Sequence, residues 1–150
     1  MTKQKPHHFA AVLSIKTETP SIRIASDWLS DTLVLAKVPS AQIERLAICL
    51  NEVLANIIEH GGEQALAFPT TLHLELNFMD HINKASVTVS DSGIAFNPLD
   101  KEEKRLPNSL DEVNPGGLGL TMMRAFVDEL RYQYIKNKFN QFSFSIYWHK

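Results

Sequence analysis

Hydrophobic positions recur along this chain with two distinct periods. From Thr71 to Met79 they alternate strictly, with Leu72, Leu74, Leu76 and Phe78 on one face and His73, Glu75 and Asn77 on the other. A period of two is that of a strand buried on one side. From Ala41 to His60 the period is helical. Ile43, Leu46, Ala47, Leu50, Val53, Leu54, Ile57 and Ile58 cover an arc of roughly 140° at about 100° per residue. Gly61-Gly62 then ends the helix, as C-terminal glycines usually do. Phe9 to Thr17 reads as a first strand, and Pro20-Ser21 opens a helix over Ile22 to Val38 with Ile24, Trp28, Leu29, Leu33 and Ala36 as its apolar stripe. Asp80-His81-Ile82-Asn83 reads as a turn and Ala85 to Ser90 as the returning strand of a hairpin. Leu118 to Leu130 returns to helical spacing. Arg131 to Lys136 and Gln141 to Trp148 form a second hairpin, in which Phe142, Phe144, Ile146 and Trp148 alternate. Hairpin-linked strands with helices gathered on one face make the expected class α+β.

Composition narrows this picture. At 150 residues the chain has the length of one domain, and such a domain buries roughly 68–70% of its unfolded surface, enough for a core without disulfides. The lone Cys49 forms no internal bridge and suits a reducing compartment. A net charge of −2 leaves no electrostatic footprint for direct nucleic-acid binding. No uncharged apolar run reaches the ~20 residues a bilayer needs, and Phe9 to Ile15 is short for a signal core without a clear cleavage site. The expectation is one cytoplasmic domain over residues 1–150, frayed over 1–8. Ser92 to Gly117 is irregular, with three prolines and the charged run Asp100 to Arg105, and a loop this long in a compact domain is usually functional or disordered.

Three groups of residues could carry chemistry. Glu52, Asn56 and His60 are four apart and stack along one edge of the Ala41–His60 helix, an edge expected opposite its apolar stripe. Such a trio alone equally marks a solvated face, but Asn51 and Asn56 are poor helix formers inside a strong helix. Asp91-Ser92-Gly93-Ile94-Ala95-Phe96 follows a strand. A carboxylate there, with a glycine permitting close backbone approach, suits a ring bearing an amino group, although Asp-Ser-Gly is also ordinary turn chemistry. Gly116-Gly117-Leu118-Gly119-Leu120 opens the last helix, where exposed N–H groups and the helix dipole attract anions. It is neither a P-loop nor a dinucleotide fingerprint, and glycines also end mobile loops.

In this order the three groups resemble the GHKL (Bergerat-fold) ATPase superfamily, and within it the bacterial anti-sigma-factor serine/threonine protein kinases. The stretch Leu46 to His60 looks like their N-box, Val89 to Phe96 like the first glycine box, and Gly117 to Leu130 like the second. The likeness runs from about Phe9 to Trp148. It implies a two-layer histidine-kinase-like ATPase fold, with a mixed, mostly antiparallel sheet and helices on one face.

The resemblance also implies roles. Asn56 would hold Mg²⁺ against the phosphates of ATP, and Glu52 would be the general base toward a protein serine. Asp91 would accept from the adenine amino group, with Gly93, Ala95 and Phe96 around the ring. Gly116, Gly117, Leu118, Gly119 and Leu120 would give phosphate-facing amides, and residues 98–115 would form the ATP lid. The implied partners are an anti-anti-sigma-type protein with a phosphorylatable serine and a sigma factor or other regulated protein. Two copies could pair through the first strand and helix. Two positions depart from the pattern: Ala95 replaces a frequent second glycine, and Asn114-Pro115 stands where a basic residue is frequent, leaving Lys101, Lys104 or Arg105 for the γ-phosphate. The competing readings are a nucleotide-gated binding module with little transfer, the ATP-binding domain of a histidine kinase (which would need a phosphoacceptor helix pair ahead of it), and metal-dependent hydrolysis through His7, His8, His60 and Glu63.

Overall fold

The structure is a computed structural model that describes residues 7–97 and 123–149. Along the chain run β1 (His7–Ile15), α1 (Thr19–Leu35), α2 (Ser40–His60), α3 (Gly62–Ala67), β2 (Thr70–Phe78), β3 (Ile82–Asp91), β4 (Glu129–Ile135) and β5 (Phe139–His149). The strands form one sheet in the order β1-β2-β3-β5-β4. Every pairing among the described residues is antiparallel, so the parallel component implied by the resemblance is absent from them. The α+β class stands, with the helices on one face.

The alternation of β2 sets that face. Leu72, Leu74 and Leu76 are fully buried, as are Ala85, Val87 and Val89 of β3 and Phe144 and Ile146 of β5. Leu74 pairs with Val87, which pairs with Phe144, so the three strands lay a continuous apolar row beneath the helices. Onto it α1 presents Ala25, Leu29 and Leu33, and α2 presents Ile43, Leu46, Leu50, Val53 and Leu54. The opposite face is polar, with Ser86 and Ser145 hydroxyls 2.8 Å apart and those of Thr88 and Ser143 2.9 Å apart. A one-sided antiparallel sheet tolerates this because water covers that side.

Several boundaries differ from the sequence expectation, each for a local reason. Strand β1 begins at His7, and His7 and His8 pair with Phe78 and Asn77 rather than fraying. It ends at Ile15, because Thr17 turns inward, where its hydroxyl donates to the Phe68 carbonyl at 2.7 Å and meets the Thr70 hydroxyl at 2.7 Å. In α1, Ile24 is 58% exposed, and the true stripe is Ser21, Ala25, Leu29 and Leu33. The Val38 and Lys37 amides donate to Leu33 and Val34 to end α1, with Lys37 in the left-handed region (φ 62°) where glycine is usual. The helix expected over Leu118 to Leu130 is described only from Met123, and its turns stop at 126. Glu129 and Leu130 instead pair with Ser145 and Phe144 and open β4. The lid expected over 98–115 lies outside the described residues.

Two outcomes are expected of the core. Cys49 is fully buried, and burial, with Glu52 beside it, pushes its thiol up to about 12. The native protein should therefore react with a thiol reagent only as fast as it unfolds. Leu74→Ala, opening a cavity under both helices, should lower stability by about 2–5 kcal/mol and accelerate that labelling in proportion; labelling kinetics beside denaturant melts check both.

Candidate functional site

The glycines after α2 do not end it in the expected manner. Gly61 keeps helical dihedrals (φ −74°), and Gly62 takes the left-handed conformation (φ 74°) that starts the short α3, an element with no hydrophobic period to announce it. Gly61 is required by crowding, since a Cβ there would lie 2.5 Å from both the Ile57 carbonyl oxygen and the Ala65 side chain. Its own carbonyl accepts the Ile94 amide at 3.0 Å. Gly93 meets the same place from the other side. A Cβ on Gly93 would fall 2.8 Å from the Gly61 carbonyl oxygen, 2.9 Å from its Cα and 2.8 Å from Asp91 Oδ1. Two glycines, 32 positions apart, thus let the end of α2 touch the end of β3.

That contact creates a cleft. It is lined by Val53, Asn56, Ile57 and Gly61 from the helix, Asp91, Ile94 and Phe96 from the turn, Met123, and Tyr132, Asn140 and Phe142 from the last two strands. Its walls are mainly apolar, with Asp91, Asn56, Asn140 and Tyr132 as the polar groups, the pattern of an orienting ligand site. Its accessible space is ≈ 30 Å³, and Ile94 on its wall is 58% exposed.

Asp91 is the last residue of β3 and only 6% exposed. Its Oδ1 accepts the Gly93 amide at 2.9 Å and the Asn140 side-chain amide at 3.1 Å. Among the described residues neither donor serves Oδ2. Burial raises the carboxyl's pKa, while the Gly93 and Asn140 hydrogen bonds pull it back. Nothing in the sequence marks Asn140, which falls between the two strands of the expected second hairpin. It sits opposite Asp91 in the β3–β5 register and is itself 5% exposed. Its Nδ2 donates to Asp91 Oδ1, to the Gly93 carbonyl at 3.2 Å and to the Ile94 carbonyl at 2.9 Å. Its Oδ1 accepts the Phe96 amide at 3.2 Å and the Tyr132 hydroxyl. One side chain therefore fixes the whole turn from Asp91 to Phe96.

The other expected residues fall into three groups. Asn56, Asp91 and Phe96 come together on the cleft, with Gly93 packed behind it and Ala95 exposed. The Phe96 ring stacks on His60 (centroids 5.1 Å apart, 21° between planes), which gives that histidine a packing role. Glu52 is half-buried one turn before Asn56 but does not line the cleft; burial, then the Glu59 carboxylate, raises its pKa. The edge carrying Glu52, Asn56 and His60 flanks the core rather than opposing it, since Val53 and Ile57 share the cleft with Asn56. Gly116, Gly117, Leu118, Gly119 and Leu120, with Lys101, Lys104 and Arg105, lie outside the described residues.

Among the described residues no group of three or more His, Cys, Asp and Glu could hold a metal ion, so His7, His8, His60 and Glu63 do not assemble the hydrolytic centre considered above. A hard cation that takes most of its oxygens from water and phosphate needs less, and the amide oxygen of Asn56 on the cleft wall fits that demand. No described helix is long and apolar enough to cross a membrane.

Comparison with known proteins gives the family. The family model of the histidine kinase-like ATPase domain matches residues 15–146. Serine/threonine-protein kinase BtrW of Bordetella bronchiseptica is 31% identical over 128 residues, 81% of this chain and 87% of that protein. Serine-protein kinase RsbW of Bacillus licheniformis is 30% identical over 95 residues, 61% of this chain and 57% of that one. The anti-sigma F factor of Clostridium perfringens is 28% identical over 65% of this chain and 66% of its own length. The solved RsbU and RsbW domains of Rv1364c from Mycobacterium tuberculosis superpose with a TM-score of 0.63 at 16% identity, over 91% of this chain and 32% of that one, a likeness of fold. A cleft between the end of α2 and a buried Asp91, on this sheet and with these relatives, leads to one assignment: the chain belongs to the histidine kinase-like ATPase domain family, alongside bacterial serine/threonine protein kinases and anti-sigma factors.

Proposed function

We propose that this chain is an anti-sigma-type serine/threonine protein kinase that binds Mg-ATP, phosphorylates a serine on a small anti-anti-sigma-type protein, and sequesters a sigma factor or another regulator in the cytoplasm. The observation that carries the reading is the buried Asp91 carboxylate, pinned through Oδ1 with Oδ2 left for a ligand, on the same cleft as Asn56. A fixed, desolvated acceptor selects a donor such as the exocyclic amine of adenine, because a ring presenting a carbonyl there would leave two acceptors facing each other. Ile57, Met123 and Phe142 supply the apolar surroundings of the ring, and Gly93 acts from behind the cleft by letting the turn close on Gly61.

With the base held there, Asn56 on the same cleft would be the residue that faces the phosphates. Asn56 would hold Mg²⁺ there, and the ion would supply charge neutralisation to the transferring group. Glu52 is the candidate base. It takes the serine proton as the serine oxygen bonds to the γ-phosphorus and the bond to the β-phosphate oxygen breaks, releasing ADP. Burial keeps Glu52 more basic than a surface glutamate, which suits this role.

The position of Glu52 outside the cleft lining favours a second reading, a nucleotide-gated binding module that transfers phosphate slowly or not at all. Incubation with γ-labelled ATP and a serine-bearing anti-anti-sigma-type protein separates the two. Labelled phosphoserine supports the kinase, and its absence at saturating nucleotide leaves the module.

Three outcomes are expected. Asp91→Asn should keep its melting profile and lose about 10–100-fold in ADP affinity, the worth of a hydrogen bond to a charged group; unchanged calorimetric affinity removes Asp91 from the site. Asn140→Ala should lower stability by about 1–3 kcal/mol and weaken ADP binding too, because it releases the Asp91–Phe96 turn; denaturant melts and calorimetry read the two effects. Glu52→Ala should bind ADP as the parent does yet lose transfer. In the wild type, transfer should fall as pH drops through a Glu52 pKa above the ordinary glutamate range, since the base works only when ionised; a rate insensitive to Glu52→Ala assigns the proton elsewhere.

A further inference from the structure

The hydrogen bonds of Asn140 come from two directions. Its Nδ2 donates to Asp91 Oδ1 and to the Gly93 and Ile94 carbonyls, and its Oδ1 accepts the Phe96 amide. Those partners all belong to the end of β3 and the turn after it. The remaining one, the Tyr132 hydroxyl donating to Oδ1, comes from β4. Tyr132 pairs with Phe142, and Asn140 lies two residues along β5 from that pair, so the hydroxyl reaches it on the diagonal. Tyr132 is half-buried against the core and lines the cleft together with Asn140 and Asp91.

The turn itself does not call for this last bond. The Asn140 contacts to Asp91, Gly93, Ile94 and Phe96, with the Gly93 amide on Asp91, already close it. What the hydroxyl adds is cover. An amide oxygen has two lone pairs, and the Phe96 amide uses one of them. Tyr132 takes the other, which would otherwise stand as a bare acceptor among cleft-lining residues, near the carboxylate of Asp91. The number of acceptors decides which ring fits. Adenine presents an exocyclic amine, a donor, beside a bare ring nitrogen, an acceptor. Hypoxanthine presents the reverse, a carbonyl beside a ring N–H. One acceptor, Asp91 Oδ2, matches the amine and opposes the carbonyl. A second acceptor next to it would oppose the bare ring nitrogen of adenine and receive the ring N–H of hypoxanthine.

We propose that Tyr132 is a specificity-determining residue of the cleft: by donating to Asn140 Oδ1, its hydroxyl removes a second acceptor from the wall and so selects an amino purine over an oxo purine. This role rests on the nucleotide reading of the cleft and adds to it the residue that sets base choice. Tyr132 acts through Asn140, which makes it a positioning residue.

Calorimetric titration of the wild-type and Tyr132→Phe chains with ADP and with inosine diphosphate, both in Mg²⁺, tests it. Phenylalanine keeps the ring that packs on the core, so both chains should fold alike. The wild type should prefer ADP by at least about 100-fold. Tyr132→Phe should narrow that preference by about tenfold, weakening ADP and strengthening inosine diphosphate. A hydroxyl that only supported the fold would weaken both nucleotides alike, so an unchanged ratio overturns the proposal and leaves the nucleotide site standing. Folded wild-type protein that binds no ADP overturns both. A second readout needs no ligand. In NMR spectra of the free protein, Tyr132→Phe should shift the Asn140 side-chain amide signals and speed their exchange with solvent, while the backbone amides of Val87 and Val89 stay as they were. Asn140 signals that do not move would show that the hydroxyl does not hold this side chain, and would equally overturn the proposal.

Discussion

The cleft rests on a contact between two backbones. Gly61 and Gly93 meet where no side chain could stand, with the Ile94 amide bonded to the Gly61 carbonyl at 3.0 Å. Every feature of the cleft depends on this contact. It seats the C-terminal turns of α2 on the end of β3 and thereby brings Asn56 onto the same cavity as Asp91. The sheet beneath supplies rigidity: fully buried Leu, Val and Phe side chains on three adjacent strands fix the register that sets Asn140 opposite Asp91. A functional constellation carried by regular elements is held more closely than one carried by loops.

The carboxylates show what the geometry costs. Asp91 and Glu52 are both partly withdrawn from water, and in both the first effect is a raised pKa. For Asp91 the protein compensates in part, through one backbone amide and one side-chain amide on a single oxygen. Folding stability from such groups is fullest while they are protonated and declines as pH rises through their elevated pKa values. A ligand donor to Oδ2 would recover part of that loss. The turn is thus held in one conformation by its own hydrogen bonds.

How much of this was legible in the chain depended on the range of the interaction. The strict alternation of Leu72 to Phe78 and the arc from Ile43 to Ile58 are local patterns, and both elements appear within a residue of their expected bounds. The α1 stripe was less clear, because apolar residues stand on more than one side of that helix; Ile24 was assigned inward and faces water. Short α3 has six residues and no period. Leu130 was drawn into a helix by its spacing and into β4 by its partner Phe144. Asn140 was invisible for the same kind of reason: its importance comes from a residue 49 positions away. Asp91, Gly93 and Asn56 stand out in the sequence because each breaks a local rule: a carboxylate ending an apolar strand, a glycine beside it, an asparagine in a strong helix.

The cleft between Asn56 and Asp91 is proposed as a nucleotide site. Calorimetric titration of the wild-type chain with ADP, in Mg²⁺ and again in excess chelator, tests it most directly. The account predicts saturable one-to-one binding that weakens sharply when Mg²⁺ is withdrawn, and no comparable heat with GDP. Folded protein that gives no saturable heat with ADP in Mg²⁺, or that binds GDP equally well, would contradict it.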